Sequence, residues 1–379
     1  MSSLGLVLSG GGARAAYQAG VIAAIADICS EMGISQPFDF YTGLSAGAIN
    51  AAMITATESC NIRDACENLT GLWSRVESQQ VYLTDPLSLS MGGLHWIADL
   101  SLGGVKKSSP GKSLLNNVPL KKLISDNCQF ENIQKNLEKK KFRGLAVSAL
   151  DYFSTCTITF LQSQEEIPLW KHARRQAERS TLTAEHILAS SAIPLLFPPV
   201  SLENRYFGDG CIRNQSPCGP AINMGAQKII AIGVRRRQEI CYSSPHINRN
   251  QSPTVGRVVS VLLNAIMMDG MEMDMERLDR INTNISKLSD VEKKNLSVRF
   301  IDHLWISPSV DIAEIAAEKV NKLPQMIRYL LKGLGSLQDA SEIASFLLFE
   351  PSYCEKLIEI GFEDGMKEKE QIQRLLSSP

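Results

Sequence analysis

The sequence predicts an α/β protein with a three-layer α/β/α fold, a mainly parallel central sheet and a helical C-terminal extension. Two short apolar runs, residues 4–8 and 38–42, each end in a glycine-containing turn that leads into a helical pattern. A third run, residues 228–234, has the composition of a buried strand. Successive strand–turn–helix units are typical of parallel sheets whose faces are covered by helices.

The elements along the chain follow from periodicity and turn residues. The first helix has apolar residues on one face from Tyr17 to Ile28, and the second, residues 48–56, is rich in small residues. Residues 145–149 and 157–161 predict two further strands, and residues 183–190 predict a helix. Residues 60–142 alternate helical patterns with Gly/Ser/Pro-rich pieces, which fits either an active-site lid or a plain helical excursion with exposed loops.

The domain prediction places a catalytic domain at residues 1–235 and a mainly helical region at 236–379. Helical patterns cover residues 254–281, 311–334, 339–347 and 353–376, and residues 303–307 predict one late strand. Since that strand would complete the same sheet, we expect the C-terminal region to pack on the catalytic domain. Residues 238–253, polar and with two prolines, are the best linker candidate.

Composition narrows the function classes. The 379 residues carry a formal net charge of −1, so a non-specific nucleic-acid binder is disfavoured and no nucleic-acid partner is expected. The nine cysteines form no CxxC pair, which argues against a zinc ribbon and favours reduced thiols. The N-terminal apolar run is short and has no basic residue before it, and no apolar stretch reaches about 18 residues. We therefore expect a protein that is cytoplasmic or peripheral to a membrane, although export without a Sec signal stays open.

The strongest local motif is Gly43-Leu44-Ser45-Ala46-Gly47, between a strand and a helix. A serine flanked by glycine at positions ±2 is the nucleophile-elbow pattern, in which a sharp turn exposes the hydroxyl. The N-terminus of the following helix presents free amides and a positive dipole end to developing negative charge. The alternative interpretation is an ordinary strand-to-helix turn built from small residues.

A second glycine motif, Gly10-Gly11-Gly12-Ala13-Arg14, follows the first strand. Its backbone amides suit an oxyanion or a phosphate. The spacing Gly10-x-Gly12-x-x-Ala15 also fits a loose dinucleotide-binding fingerprint, which requires an acidic residue at the end of the second strand. Ser45 and its neighbours stand there instead, so the acyl-hydrolase interpretation is preferred.

A serine nucleophile needs a base. The five histidines (His95, His172, His186, His246 and His303) do not occupy glycine-flanked turns at strand ends. Asp209 lies between Gly208 and Gly210, directly after two aromatic residues. It is the best-placed carboxylate, although a simple Asp-Gly turn would look the same.

Together these motifs, with Ala189-Ser190-Ser191-Ala192-Ile193-Pro194 and Phe197-Pro198-Pro199, resemble the patatin-like phospholipases over roughly residues 4–235. The resemblance implies the patatin-like α/β/α fold and a Ser–Asp dyad, in which Ser45 attacks an ester and Asp209 accepts its proton. It implies an oxyanion hole from the amides of Gly11, Gly12 and Ala46. The supporting positions are Gly10, Arg14, Gly43, Gly47 and Gly210, and Arg14 would stabilise either the glycine loop or the anion.

The function implied by the resemblance is hydrolysis of phospholipids or lysophospholipids without metal or organic cofactor. Acyl transfer to another acceptor and a non-catalytic regulatory role on the same fold are the alternatives. Ala15 and Cys211 depart from the family pattern: Ala15 is tolerated if its φ is negative, and Cys211 introduces a thiol beside the base. Head group, acyl position and oligomeric state are not determined by the sequence.

Membrane contact is expected to be peripheral. Five methionines between Met267 and Met275 fit either a lipid-facing helix or, preferably, a core helix. The basic groups at 139–141, 174–175 and 235–237 suit either phospholipid head groups or ordinary solvated ends of elements.

Overall fold

The computed structural model describes residues 3–83, 113–214, 216–237, 252–334 and 341–377. Residues 84–112 of the segment 60–142 and residues 238–251 of the linker candidate 238–253 lie outside this part of the chain. The described strands are β1 Leu4–Leu8, β2 Phe40–Leu44, β3 Gly144–Asp151, β4 Thr157–Ser163, β5 Lys171–His172, β6 Arg175–Arg179, β7 Val200–Leu202, β8 Arg205–Asp209, β9 Lys228–Ile232 and β10 Asp302–Ile306.

The described helices surround these strands. They are α1 Ala16–Glu31, α2 Ala46–Ala56, α3 Ile62–Trp73, α4 Val118–Asn127, α5 Glu131–Glu138, α6 Ala184–Ser190, α7 Gly219–Met224, α8 Val255–Met267, α9 Asp269–Ser286, α10 Asp290–Lys294, α11 Ile312–Lys319, α12 Gln325–Leu334, α13 Ser341–Leu347, α14 Pro351–Lys367 and α15 Lys369–Ser377. Short 3₁₀ turns cover Gly12–Ala15, Ser78–Gln80, Gly210–Ile212 and Val320–Lys322.

The sheet is mainly parallel. Its strand order is β10-β9-β1-β2-β3-β4-β6-β5, and the first five of these strands pair in parallel. Strand β4 pairs antiparallel with β3, and a hairpin of β7 and β8 adds to the end of β3. The late strand β10 pairs with β9, so the C-terminal region contributes a strand to the sheet.

Helices cover both faces, as the alternation within β1 illustrates. Leu6 and Leu8 belong to a core cluster with α1, α2 and α14, while Val7 belongs to a second cluster with α7 and α9. Because successive side chains of a strand point to opposite faces, β1 lies in a middle layer between two sets of helices. The predicted three-layer α/β/α fold with a mainly parallel sheet is confirmed.

The methionines of the C-terminal region lie mostly in the core. Met267, Met268, Met271 and Met275 are buried, and the last two pack against the sheet with Leu278. Only Met273 of the five is largely exposed. The core interpretation of this segment is therefore confirmed for four of its five methionines.

Several predicted boundaries differ from the observed ones. Strand β2 begins at Phe40, two residues later than predicted, and runs to Leu44. The pattern at 254–281 is two helices that meet at Met268, and the pattern at 311–334 breaks at Pro324, which has no N–H to donate. Residues 339–340 of another predicted helix lie outside the described residues.

Helix α14 packs against α1 at very short range. A Cβ added at Gly361 would lie 2.1 Å from the carbonyl oxygen of Tyr17, and one at Gly20 would lie 2.0 Å from that of Ile358. The Tyr17 hydroxyl also donates to Asp364, 3.2 Å away. The two helices thus meet backbone to backbone, where a side chain has no room.

We expect Gly361→Ala to lower the free energy of unfolding by about 2 kcal/mol or more, since a backbone carbonyl cannot move aside as a side chain can. Urea unfolding of the full chain measures this. Gly333→Ala in α12 is the matched control, because open space surrounds Gly333. There, alanine should be neutral or stabilising by up to about 1 kcal/mol. Equal effects of the two substitutions would contradict the close packing.

Candidate active site

Strand β3 brings Ser45 and Asp209 to neighbouring positions. Strand β2 ends with Leu44 opposite Ser148, and β8 then pairs with the next residues of β3, so that Asp209 stands opposite Ala149. Because β4 occupies the other side of β3 along residues 144–150, β8 continues on the side that β2 has left. The end of β2 and the end of β8 therefore meet at one edge.

Ser45 has the backbone geometry of a nucleophile elbow. Its φ of 52° and ψ of −127° lie in a region that non-glycine residues rarely adopt, directly before the first turn of α2. The flanking glycines allow the sharp turn: a Cβ on Gly43 would lie 2.5 Å from the Ala48 Cα, and one on Gly47 would lie 2.4 Å from the Leu8 carbonyl oxygen. Such strain is characteristic of functional positions.

Ser190 holds the elbow from the other side. The Ser45 backbone N–H donates to the Ser190 hydroxyl oxygen at 3.0 Å, and that hydroxyl donates to the Ser148 carbonyl at 2.7 Å. All three residues are buried. The Ser45 amide is therefore engaged and does not face a substrate oxygen. The sequence motif around Ser190 carries no local signal for this contact with the Ser45 amide.

Asp209 is fully buried beside Ser45. Its Oδ1 accepts from the Cys211 amide at 2.8 Å, while Oδ2 has no hydrogen-bond partner among the described residues. Burial raises the pKa of Asp209 to about 6, and the Ser45 side chain and the Cys211 amide and thiol oppose this rise. The Ser45 hydroxyl is thus close enough to affect the carboxyl, although the two groups do not form a hydrogen bond of normal geometry.

The glycine loop after β1 lies close to Ser45 and Cys211. A Cβ on Gly10 would lie 2.4 Å from the Cys211 sulfur and 2.8 Å from the Ser45 Cβ. The amides of Gly11, Gly12 and Ala46 donate to no acceptor within the described residues. Amides without a partner at the start of two helical turns are suited to bind an anion.

Arg14 is turned away from this edge and into the C-terminal region. Its guanidinium, 2% exposed, forms an ion pair with Glu342, donates to the Ser345 hydroxyl at 2.7 Å and lies 4.6 Å from the ring centre of Phe346. Of the two roles considered for Arg14, these contacts favour anchoring the glycine loop. The sequence offered no signal for the partners, because α13 lies more than 300 positions along the chain.

The two departures from the family pattern fit the local structure. Ala15 has a φ of −66°, so its methyl group causes no backbone strain. The Cys211 thiol is buried, and burial together with the neighbouring Asp209 carboxylate raises its pKa well above the ordinary value. This thiol therefore remains protonated at neutral pH, which makes it a poor nucleophile.

The described histidines are occupied elsewhere. His186 contacts Thr183 and packs against Phe160, and His303 lies 3.3 Å from Asp279. His172 is exposed on β5. His95 and His246 lie outside the described residues. In the described part of the chain, no group of three or more His, Cys, Asp or Glu side chains is placed to hold a metal ion.

A strained serine at the end of a parallel strand, a neighbouring buried carboxylate and a glycine loop therefore lie together at one end of the sheet. The chain belongs to the patatin-like phospholipase family, whose model matches residues 6–222, more than half of its length. Membership of this family supports lipid hydrolase activity. No curated protein matches the chain.

Three solved structures illustrate the range of structural likeness. VipD from Legionella pneumophila is 14% identical with a TM-score of 0.33, covering 95% of this chain and 67% of its own. Human GIVD cytosolic phospholipase A2 with methyl γ-linolenyl fluorophosphonate is 10% identical, TM-score 0.42, over 99% of this chain and 58% of its own. ExoU of Pseudomonas aeruginosa, in complex with SpcU, is 12% identical with a TM-score of 0.28, and the match covers 88% of this chain and 60% of that one. The chain thus spans between 58% and 67% of these structures.

Proposed function

We propose that the protein hydrolyses carboxylic esters of phospholipids or lysophospholipids through a Ser45–Asp209 dyad and an acyl-enzyme. Ser45 Oγ attacks the ester carbonyl while its proton passes to Asp209. The C–O bond of the tetrahedral intermediate then breaks, and the leaving alkoxide takes that proton. A water molecule attacks the acyl-enzyme with the same proton transfers, releasing the fatty acid and restoring Ser45.

The oxyanion of both intermediates is assigned to the amides of Gly11, Gly12 and Ala46. Each preorganised donor of this kind is typically worth about 10²–10³-fold in rate. No metal or organic cofactor is required by this scheme, because the carbonyl is polarised by backbone amides and the proton has an acceptor in Asp209.

The observation that carries the proposal is the strained Ser45 beside a fully buried carboxylate whose Oδ2 is unpartnered within the described residues. An ordinary aspartate is a weak base for a hydroxyl, and burial increases its basicity. A strand-to-helix turn without catalytic function would require neither the positive φ of Ser45 nor a buried carboxylate next to it.

Covalent labelling tests the proposal directly. The purified chain should react with a fluorophosphonate probe, and mass spectrometry should place the adduct on Ser45. The control is Ser154→Ala, which replaces an exposed serine and should leave labelling of Ser45 unchanged. Ser190→Ala is unsuitable as a control, since Ser190 supports the elbow. Absence of labelling, or an adduct on another residue, would refute the assignment. Fatty acids released from a panel of phospholipids and lysophospholipids then define the substrate.

The pH dependence should report the ionisation of Asp209. Only the carboxylate accepts a proton, so kcat/KM for a soluble p-nitrophenyl ester should rise with pH and level off above a midpoint near 6, the pKa of Asp209. An exposed aspartate would instead give a midpoint near 4. Initial rates between pH 4.5 and 8.5 measure this rise of kcat/KM with pH. A midpoint near 4 would contradict a buried base.

A further inference from the structure

A continuous apolar stripe lies exposed along α8. Val258, Val261, Leu262 and Ile266 follow the i, i+3, i+4, i+8 spacing of one helical face, and all four are exposed, Val261 by 54% and Leu262 by 55%. Large apolar side chains clustered in this way on a surface indicate an interaction site.

The opposite face of α8 is anchored in the protein. Met267 is buried, and Val259 and Leu263 pack against the main core. The exposed stripe is therefore the outward half of a helix that is already packed.

Helix α12 lies beside α8 and also carries exposed apolar side chains. Ile327 and Leu331 are buried, while Tyr329, 73% exposed, and Leu330 point outward. Tyrosine is favoured at membrane–water interfaces, because its ring is apolar and its hydroxyl polar.

The charges of the two helices have one sign. Neither α8 nor α12 contains an aspartate or glutamate, and their charged residues are Arg257, Arg328 and Lys332. The whole chain has slightly more acidic than basic residues, so the two helices are more basic than the chain as a whole. Exposed apolar side chains on helices whose own charged residues are all basic complement an anionic lipid surface.

The surface also adjoins the candidate active site. Helix α8 packs on the 3₁₀ turn Gly210–Ile212, which begins directly after Asp209. Helix α8 would thus lie between a bilayer on its outer face and the turn that follows the base. No helix in the described residues has both the length and the apolar character needed to cross a membrane.

We propose that the outer faces of α8 and α12 dock the protein onto anionic phospholipid membranes. This inference rests on the proposed function, since it places the lipid-hydrolysing site at the surface of its substrate. Docking is driven by burial of the α8 stripe and the Tyr329 ring, and the basic residues confer preference for anionic lipid.

Vesicle flotation tests the docking surface without requiring turnover. Ser45→Ala protein is incubated with phosphatidylcholine vesicles with or without about 30% phosphatidylserine. Adding Val261→Gln and Leu262→Gln should lower partitioning into the anionic vesicles at least tenfold. Arg257→Gln with Lys332→Gln should reduce it by about fivefold per charge and remove the preference for anionic lipid.

The matched control replaces Val291 and Val298, exposed valines on α10 and in the segment after it, by glutamine. Partitioning of this control should equal that of the parent protein. An unchanged α8 variant, or an equal loss in the control, would overturn the proposal. Self-association would also overturn the proposal. If size-exclusion chromatography shows that the parent protein forms an oligomer and that the α8 variant does not, the exposed face of α8 binds a second copy of the chain.

Failure of docking and failure of the proposed function are distinguishable. With Ser45 intact, the α8 variant should hydrolyse a soluble p-nitrophenyl ester at the parental rate and lose activity only on vesicles. Loss of soluble-ester hydrolysis in the α8 variant would show a damaged site and overturn a purely docking role. If the parent shows no ester hydrolysis but floats through α8, the function fails and the docking surface stands.

Discussion

Ser45→Ala and Asp209→Asn should each lower kcat/KM for p-nitrophenyl ester hydrolysis by about 10⁴-fold or more, because one removes the nucleophile and the other the base. The double variant should be only slightly slower than either single variant, since the two groups act as one unit. Steady-state assays at a known concentration of purified protein measure the rates. Substantial turnover in either purified single variant would refute the dyad.

The two variants should also remain folded, and stability gives an independent readout for Asp209. The pKa of Asp209 is raised from 3.8 to about 6 in the folded protein. The free energy of unfolding therefore falls as pH rises between these values, and above pH 6 the ionised carboxylate destabilises the folded state. A shift of this size corresponds to about 3 kcal/mol. Asp209→Asn removes the buried charge but adds amide hydrogens, so we expect a net gain of about 1–2 kcal/mol at pH 8.

Urea unfolding at pH 8 and pH 4 measures this gain. Near pH 4 Asp209 is largely protonated in the folded state, so the advantage of asparagine should shrink there. An equal gain at both pH values would show that the effect does not come from the buried charge. Such a trade between stability and activity is common where function requires a strained or desolvated group.

Gly12→Ala should lower kcat/KM by about 10²–10³-fold, comparable to the loss of one oxyanion donor. Gly12 has a φ of 57°, and a Cβ there would lie 2.3 Å from the carbonyl oxygen of Phe346. The loop must therefore shift, and with it the amides of Gly11 and Gly12. The hydrolysis rate of a soluble ester, together with the urea midpoint, separates loss of activity from loss of fold.

Gly33→Ala provides the matched control. Gly33 also has a positive φ, 69°, but no atom lies within 4 Å of the position that a Cβ would take. Alanine there should cost about 1 kcal/mol of backbone strain and leave kcat/KM unchanged. If both substitutions reduced activity alike, backbone strain and not the position of the glycine loop would be responsible.

Much of the fold could be predicted because the local sequence patterns indicate strands and helices in the order that a parallel sheet covered by helices requires. The two strand–turn–helix units at Ser45 and Gly10 each have a periodicity that switches at a glycine turn. The strand at 303–307 was recognisable by its apolar composition. The break between α8 and α9 was harder to predict, because the two helices share one apolar pattern and no proline marks their junction at Met268. The break at Pro324, in contrast, has a local cause that the sequence shows, because proline has no N–H to donate.

For the candidate site, sequence patterns identified the residues but not their environment. Motifs indicated Ser45 and Asp209, and the resemblance implied their roles. The pKa of Asp209 depends on burial by distant elements, which no local pattern records. Ser190 supports the Ser45 amide through a single hydroxyl, and small serines in helices are too common to signal such a contact. The partners of Arg14 depend on how α13 packs, which the sequence does not reveal.

The anchoring of Arg14 bears on where a recombinant fragment of this protein can end. The family match stops at residue 222, yet the guanidinium of Arg14 has its acceptors in residues 342–345. A fragment that ends at the family boundary would lack Glu342, the counter-ion of the buried Arg14 guanidinium. Arg14 would then be an unpaired cation next to the glycine loop that is assigned to the oxyanion. Truncation series are therefore better designed from the C-terminus, helix by helix, than from the extent of sequence similarity.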